Sequence, residues 1–124
     1  MPALKPVRWI ASAKDDLSAC PDEVRRNVGQ ALYVAQRGDK HSDAKILKGF
    51  GGAGLLEIVA RHDGGTFRAV YTVRFYSVIY VLHVFQKKSK RGIATPQQEV
   101  NLVRSRLKLA EDDYAQWTGT GGRA

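Results

Sequence analysis

Four cations fall within five residues directly after a long apolar segment: Lys87, Lys88, Lys90 and Arg91. The segment from Ser77 to Val84 is nearly all β-branched, aromatic or leucine, which is typical of a buried central strand. A central strand that ends in this cluster brings positive charge to one rim of a sheet, where a phosphate backbone can be bound. The alternative is a basic loop that only keeps the protein in solution.

The overall charge supports a polyanionic partner. The formal net charge is +8 and the sequence pI is about 9.9. Between Arg61 and Lys108 there are ten basic residues against only Asp63 and Glu99. The chain is therefore expected to have a basic side, and RNA, DNA, an acidic protein or a membrane surface are the partners that such a side attracts.

Arg, Lys, Tyr and His side chains are sufficient to cleave RNA. The 2′-hydroxyl is an internal nucleophile, so the protein must align the backbone, stabilise the charge of the phosphorane and help to move two protons. Arginine suits the charge because its fork pairs two phosphate oxygens and stays protonated. Lysine, tyrosine or histidine can carry a proton.

Other chemistries lack their residues. His41, His62 and His83 are dispersed, and the single cysteine, Cys20, can neither form an intramolecular disulfide nor make a zinc site alone. There is no Walker or Rossmann fingerprint, and the glycines between His41 and Gly54 are not followed by Gly-Lys-Ser/Thr. We therefore expect no metal and no cofactor.

The length of 124 residues predicts one domain, and the chain has neither an apolar run of about 20 residues nor a signal-like N-terminus. A cytoplasmic location without membrane contact is the expectation. We predict a domain over 1–117 and a disordered tail over 118–124, which is rich in glycine and threonine.

The hydrophobic pattern predicts the order β-α-α-β-β-β-α, an α+β fold. Strands are expected near 7–10, 55–62, 66–75 and 77–86, with helices near 12–19, 21–37 and from Pro96 onward. Consecutive strands predict a mainly antiparallel four-stranded sheet with all helices on one face. Alternation places Tyr71 and Phe75 on that covered face, and Arg68 and Arg74 on an open one.

Several motifs in this order resemble the RelE/HigB/ParE toxin superfamily, and the phage-related HigB-like branch most of all. The motifs are Leu47-Lys48-Gly49, Gly54-Leu55-Leu56-Glu57-Ile58, Phe67-Arg68-Ala69-Val70-Tyr71, His83-Val84-Phe85-Gln86-Lys87-Lys88, and Thr95-Pro96 before a helix that contains Glu99. The resemblance spans roughly residues 7–115. It implies a RelE-like fold and a toxin that cleaves mRNA in the ribosomal A site, held inactive by a small antitoxin with a helix-turn-helix.

The resemblance also implies a site. Arg68 matches the phosphate-binding arginine, and Lys87 and Lys88 match the basic pair after the last strand. RelE-type enzymes carry lysines where this chain has Glu57 and Val59, and their catalytic tyrosine near the last helix has no counterpart here. The candidates for proton transfer are therefore His83, Tyr71 and Glu57, and those for further RNA contact are Arg74, Lys90, Arg91 and Lys48.

Each candidate also has a purely structural interpretation. The alternation of side chains along the strands places Tyr71 and His83 with core residues. This favours packing for Tyr71 and a hydrogen-bonded core position for His83. For Glu57, a structural ion pair is favoured. Function is favoured for Arg68, with a solvated strand arginine as the alternative, and for at least one of Lys87 and Lys88, with a solvated strand end as the alternative. At the level of the protein, the alternatives to an mRNA endonuclease are a ParE-like inhibitor of DNA gyrase and an inactive relative that only binds its antitoxin or nucleic acid.

Overall fold

The computed structural model describes residues 4–50, 54–87 and 96–119. The elements are β1 (Val7–Trp9), α1 (Ala13–Ser18), α2 (Asp22–Gln36), β2 (Ala44–Ile46), β3 (Leu55–His62), β4 (Gly65–Thr72), β5 (Ile79–Lys87) and α3 (Gln97–Gly119). The predicted order is confirmed, with one additional strand. Helix α3 continues to Gly119, and the remainder of the predicted tail, 120–124, lies outside the described residues.

The sheet has five strands in the order β1-β5-β4-β3-β2, so the prediction of four strands was wrong. The additional strand is β2, which lies in the glycine-containing segment and pairs antiparallel with β3. Strand β1 pairs parallel with β5, while the remaining neighbours are antiparallel, which makes the sheet mixed. A three-residue edge strand carries too few side chains to produce a detectable alternation, and for this reason the pattern missed it.

Helices α1 and α2 cover one face of the sheet. Apolar residues at helical spacing on α2 are buried and pack on Ile58, Tyr71 and Val81 of β3, β4 and β5; they are Val24, Val28, Leu32 and Ala35. Pro21 precedes the first helical residue. The helix ends where Gly38 adopts a φ of 90°, a left-handed conformation that glycine takes without a steric penalty.

Helix α3 packs on the opposite face, so the prediction that all helices share one face was wrong. Val103 and Ala110 on α3 are fully buried in a second core with Val70, Tyr80 and Leu82. Phe75 belongs to this second core, not to the first. The strand β4 ends at Thr72, so the alternation read through to Phe75 no longer applies there.

The β3–β4 connection is a tight turn at Asp63-Gly64, the residue types that such turns favour. Asp63 and Gly64 have φ values of 49° and 78°, and His62 pairs directly with Gly65. Two central residues with positive φ make a tight hairpin turn whose twist suits the flanking strands. This hairpin fixes the register that brings the polar side chains of β3 and β4 together.

Candidate functional site

A polar cleft of about 380 Å³ lies on the α3 side of the sheet, over β2, β3 and β4. Its lining consists of Ser42, Asp43, Lys45, Glu57, Val59, Arg61 and Arg68. The register explains why these residues meet: Lys45 pairs with Glu57, and Arg68 pairs with Val59. Residues in register on neighbouring strands point to the same side of a sheet. Three cations and Glu57 therefore share one surface, beside the part of that face which α3 covers.

Arg68 and Glu57 form an ion pair at the base of the cleft. The Arg68 Nη1 donates a hydrogen bond of 2.8 Å to Glu57 Oε1, and both residues are almost buried, with exposures of 7% and 6%. The alternation predicted that Arg68 lies on an open face, and this prediction was wrong. The interpretation of Glu57 as a partner in an ion pair is confirmed.

Lys87 lies on the same face at the end of β5. It pairs with Thr66, while Phe85, two residues earlier, pairs with Arg68. Only 8% of Lys87 is exposed, so it is not a solvated strand end. The structure thus brings Arg68, Lys87 and Glu57 to one face. The other predicted cations of this rim, Lys88, Lys90 and Arg91, lie outside the described residues.

His83 reaches this face through an irregularity in β5. Val70 pairs with His83 and Tyr71 with Val81, so Leu82 is an extra residue, as in a β-bulge. The bulge puts His83 and Val81 on opposite faces, although simple alternation assigned them to the same one. His83 is 5% exposed and hydrogen-bonded, which confirms the interpretation as a core histidine.

Both ring nitrogens of His83 are engaged by α3. Arg106 Nη1 lies 3.0 Å from Nδ1, and Glu99 Oε1 lies 3.0 Å from Nε2. A guanidinium only donates hydrogen bonds, so Nδ1 accepts and Nε2 carries the hydrogen that is donated to Glu99. Arg106 also donates to the Leu82 carbonyl. Arg106 thus fixes the orientation of His83, a role that the helical pattern of the sequence does not indicate.

Three other candidates do not line the cleft. Tyr71 is fully buried under α1 and α2, where burial raises the pKa of its phenol to about 12. Its hydroxyl has no hydrogen-bond partner among the described residues. Arg74 lies beyond the other end of β4 and pairs with Glu111 of α3. Lys48 is exposed in the β2–β3 connection, where its neighbours Leu47 and Phe50 pack on the α3 side.

A separate polar cluster joins β1 and β5 to the end of α3. Asp113 accepts hydrogen bonds from Arg8 Nε and from the Tyr80 hydroxyl, both at 2.6 Å. The hydrogen bond from Arg8 is the main cause that lowers the pKa of Asp113. Burial, followed by the hydrogen bond to Asp113, raises the pKa of Tyr80. The sequence signal was Asp113 itself, three positions after Ala110 on the apolar side of α3.

Comparison with known protein families identifies one family that matches the chain. Residues 15–108, most of its length, match the family described as phage derived protein Gp49-like (DUF891). The chain belongs to this family. Gp49-like proteins are a toxin-like family related to RelE-type toxins, which supports the broader resemblance without selecting the HigB-like branch. No curated protein and no solved structure matches the chain.

The described residues of this Gp49-like protein form three helices, and none of these is both long and apolar enough to cross a bilayer. Likewise, residues 4–50, 54–87 and 96–119 hold no group of three or more His, Cys, Asp or Glu side chains placed to bind a metal ion.

Proposed function

We propose that this Gp49-like protein is the toxin of a toxin–antitoxin system and acts as an endoribonuclease on mRNA. The observation that carries the proposal is the position of Arg68. Its guanidinium is held by Glu57 at the base of a cleft whose other charged side chains are Lys45, Arg61 and Asp43. A fixed fork of donors among further cations suits a phosphate diester in a strand of RNA.

The chemistry needs no external nucleophile. The 2′-oxygen attacks the adjacent phosphorus, the new P–O2′ bond replaces the P–O5′ bond, and the products are a cyclic phosphate and a 5′-hydroxyl. Arg68 stabilises the added negative charge of the phosphorane. Glu57 accepts the proton of the 2′-hydroxyl, because it is the carboxylate in direct contact with Arg68. Lys87, on the same face, donates the proton that the departing 5′-oxygen takes up.

The proposed partners follow from the family and the charge. The substrate is mRNA on the ribosome, and ribosomal RNA adds phosphates that attract a protein with a net charge of +8. The inhibitor is a cognate antitoxin with a helix-turn-helix domain. An antitoxin that neutralises this site has to cover the cleft or keep the toxin off the ribosome.

The test is cleavage of mRNA on translating ribosomes, mapped by primer extension. The inactive variant should be Glu57→Met/Arg68→Met, because replacing both members of a buried pair with apolar side chains costs much less stability than removing one of them. Arg26→Met, at an exposed arginine on α2, is the matched control. We expect cuts within translated codons with the wild type and the control, and none with the double variant. Absence of cuts from folded wild-type protein that still arrests growth would refute the proposal.

One observation favours a second function. The Arg68 guanidinium already contacts a carboxylate, and both residues are almost buried, which also suits a structural ion pair. In that case the protein inhibits DNA gyrase, as ParE-like toxins do, or only binds its antitoxin. Gyrase supercoiling measured with wild-type protein separates these functions: inhibition without mRNA cleavage supports the ParE-like one, and neither effect supports an inactive relative.

A further inference from the structure

Phe85 occupies a distinctive place beside the cleft. It is the cross-strand partner of Arg68, and Lys87 follows two residues later on the same face. Its ring is only partly buried, whereas every residue from Ile79 to Val84 is buried. A partly exposed aromatic ring on the same face as two cations, one of which lines a polar cleft, is the combination found in single-strand nucleic-acid sites.

The ring of Phe85 is supported from below by His83. The two ring centroids are 4.7 Å apart and the planes differ by 17°, so the rings are stacked. His83 cannot turn away, because Glu99 and Arg106 hold its two ring nitrogens at 3.0 Å each. Neighbouring strands are about 4.8 Å apart, so the backbones of Phe85 and Arg68 are roughly one strand spacing apart and their side chains leave the sheet side by side.

We propose that Phe85 is a stacking platform for one nucleobase of single-stranded RNA, and that Glu99, His83 and Arg106 are positioning residues that hold this platform rigid. The inference rests on the proposed function for the identity of the polymer and adds a base-binding subsite to it. The phosphate next to the stacked base contacts Arg68. A platform fixed before binding loses little side-chain freedom when the base arrives, so it increases affinity. It accepts any base, because every base has a π-face.

The probe is a short fluorescein-labelled 2′-O-methyl RNA strand, which lacks the nucleophile and cannot be cleaved. Fluorescence anisotropy gives its affinity for the full chain, and an abasic strand with the same backbone gives the affinity without bases. We expect wild-type protein to bind the base-containing strand roughly 5- to 100-fold more tightly, the range for a stacked base. Phe85→Leu should remove this ratio, and Phe85→Tyr should keep it.

The salt dependence identifies the kind of contact that is lost. Phe85→Leu changes no charge, so the slope of log affinity against log salt should stay the same, whereas Arg61→Gln should reduce it. Tyr76→Leu is the matched control, since Tyr76 is an 85% exposed aromatic residue in the β4–β5 connection, away from Lys87. The control should bind as the wild type does. Arg106→Met should reduce the ratio between the two strands by a smaller factor than Phe85→Leu, because it frees one ring nitrogen of His83.

Three results would overturn the inference: no binding of the base-containing strand, equal affinities for the two strands, or a ratio that persists in Phe85→Leu. The proposed function fails separately. Cleavage on ribosomes with no base-dependent binding would leave the nuclease in place without the platform. Base-dependent binding that Phe85→Leu removes, in a protein that cuts no mRNA, would leave the platform without the nuclease.

Discussion

The buried pair of Arg68 and Glu57 makes a strong prediction about stability. Arg68→Met leaves the Glu57 carboxylate without the 2.8 Å hydrogen bond from Arg68, in surroundings where its side chain is 8% exposed. Removing one member of a buried pair costs about 3–5 kcal/mol, because the charge that stays behind loses its partner at a site with little access to water. For a chain of this size, the melting temperature should fall by roughly 10–20 °C. Glu57→Met should have a similar cost, since it leaves the guanidinium buried.

The double variant separates pairing from packing. Glu57→Met/Arg68→Met removes both charges and keeps most of the side-chain volume, so the free energy of unfolding should return to within about 2 kcal/mol of the wild type. The wild type, the two single variants and the double variant form a double-mutant cycle. Its coupling energy should therefore be several kcal/mol. It isolates the interaction between the two side chains from the cost of changing each one alone.

Urea unfolding followed by circular dichroism and tryptophan fluorescence measures all four proteins of the cycle. The m-values should agree, since the same surface is exposed on unfolding. Arg26→Met should lie within about 0.5 kcal/mol of the wild type, as exposed substitutions usually do. If either single variant costs less than about 1 kcal/mol, or if the double variant costs the sum of the two, the pair is not a buried charge interaction. The stability argument and the choice of the double variant for the cleavage assay would then both fail.

Three further predictions concern single side chains. Tyr71→Phe removes a buried hydroxyl that has no partner among the described residues, so the free energy of unfolding should stay equal or rise by up to about 1 kcal/mol. If urea unfolding shows that this free energy falls by more than about 1 kcal/mol, the hydroxyl is paired. The pKa of Asp113 is lowered by Arg8, so its contribution should be intact above about pH 4, the unfolded value, and lost as pH falls through the folded pKa. The raised pKa of Tyr80 has the opposite sign: its contribution is intact below about pH 10 and lost as pH rises through the folded pKa. When unfolding is measured across pH, the acid limb should flatten in Asp113→Asn, whereas the alkaline limb should flatten only in part, because burial is the larger cause of the raised Tyr80 pKa; an unchanged acid limb would contradict the assignment. Glu57→Gln keeps an oxygen that accepts from Arg68 but cannot take a proton, so ribosomal cleavage should fall about 10²- to 10⁴-fold while binding of the 2′-O-methyl strand persists; full activity would exclude Glu57 as the base.

Much of the fold follows from local patterns. Val24, Val28, Leu32 and Ala35 recur at helical spacing and are buried on α2, and Asp63-Gly64 makes the turn that its residue types favour. These features depend on contacts between residues a few positions apart, so the sequence alone determined them. The order of the elements and the basic character of the chain were likewise decided by the sequence.

The arrangement of the site was decided by tertiary structure. The bulge at Leu82 turns His83 to the face that Glu99 and Arg106 contact. The alternation of residue types in β5 does not predict this bulge. In the same way, α3 covers the face that was expected to be open, and Lys45 reaches the cleft only because β2 pairs with β3. The physical reason is that a strand pattern specifies which side chains alternate, but not which element will bury each face. That choice depends on the free energy of packing whole elements together, which residues far apart in the chain determine jointly.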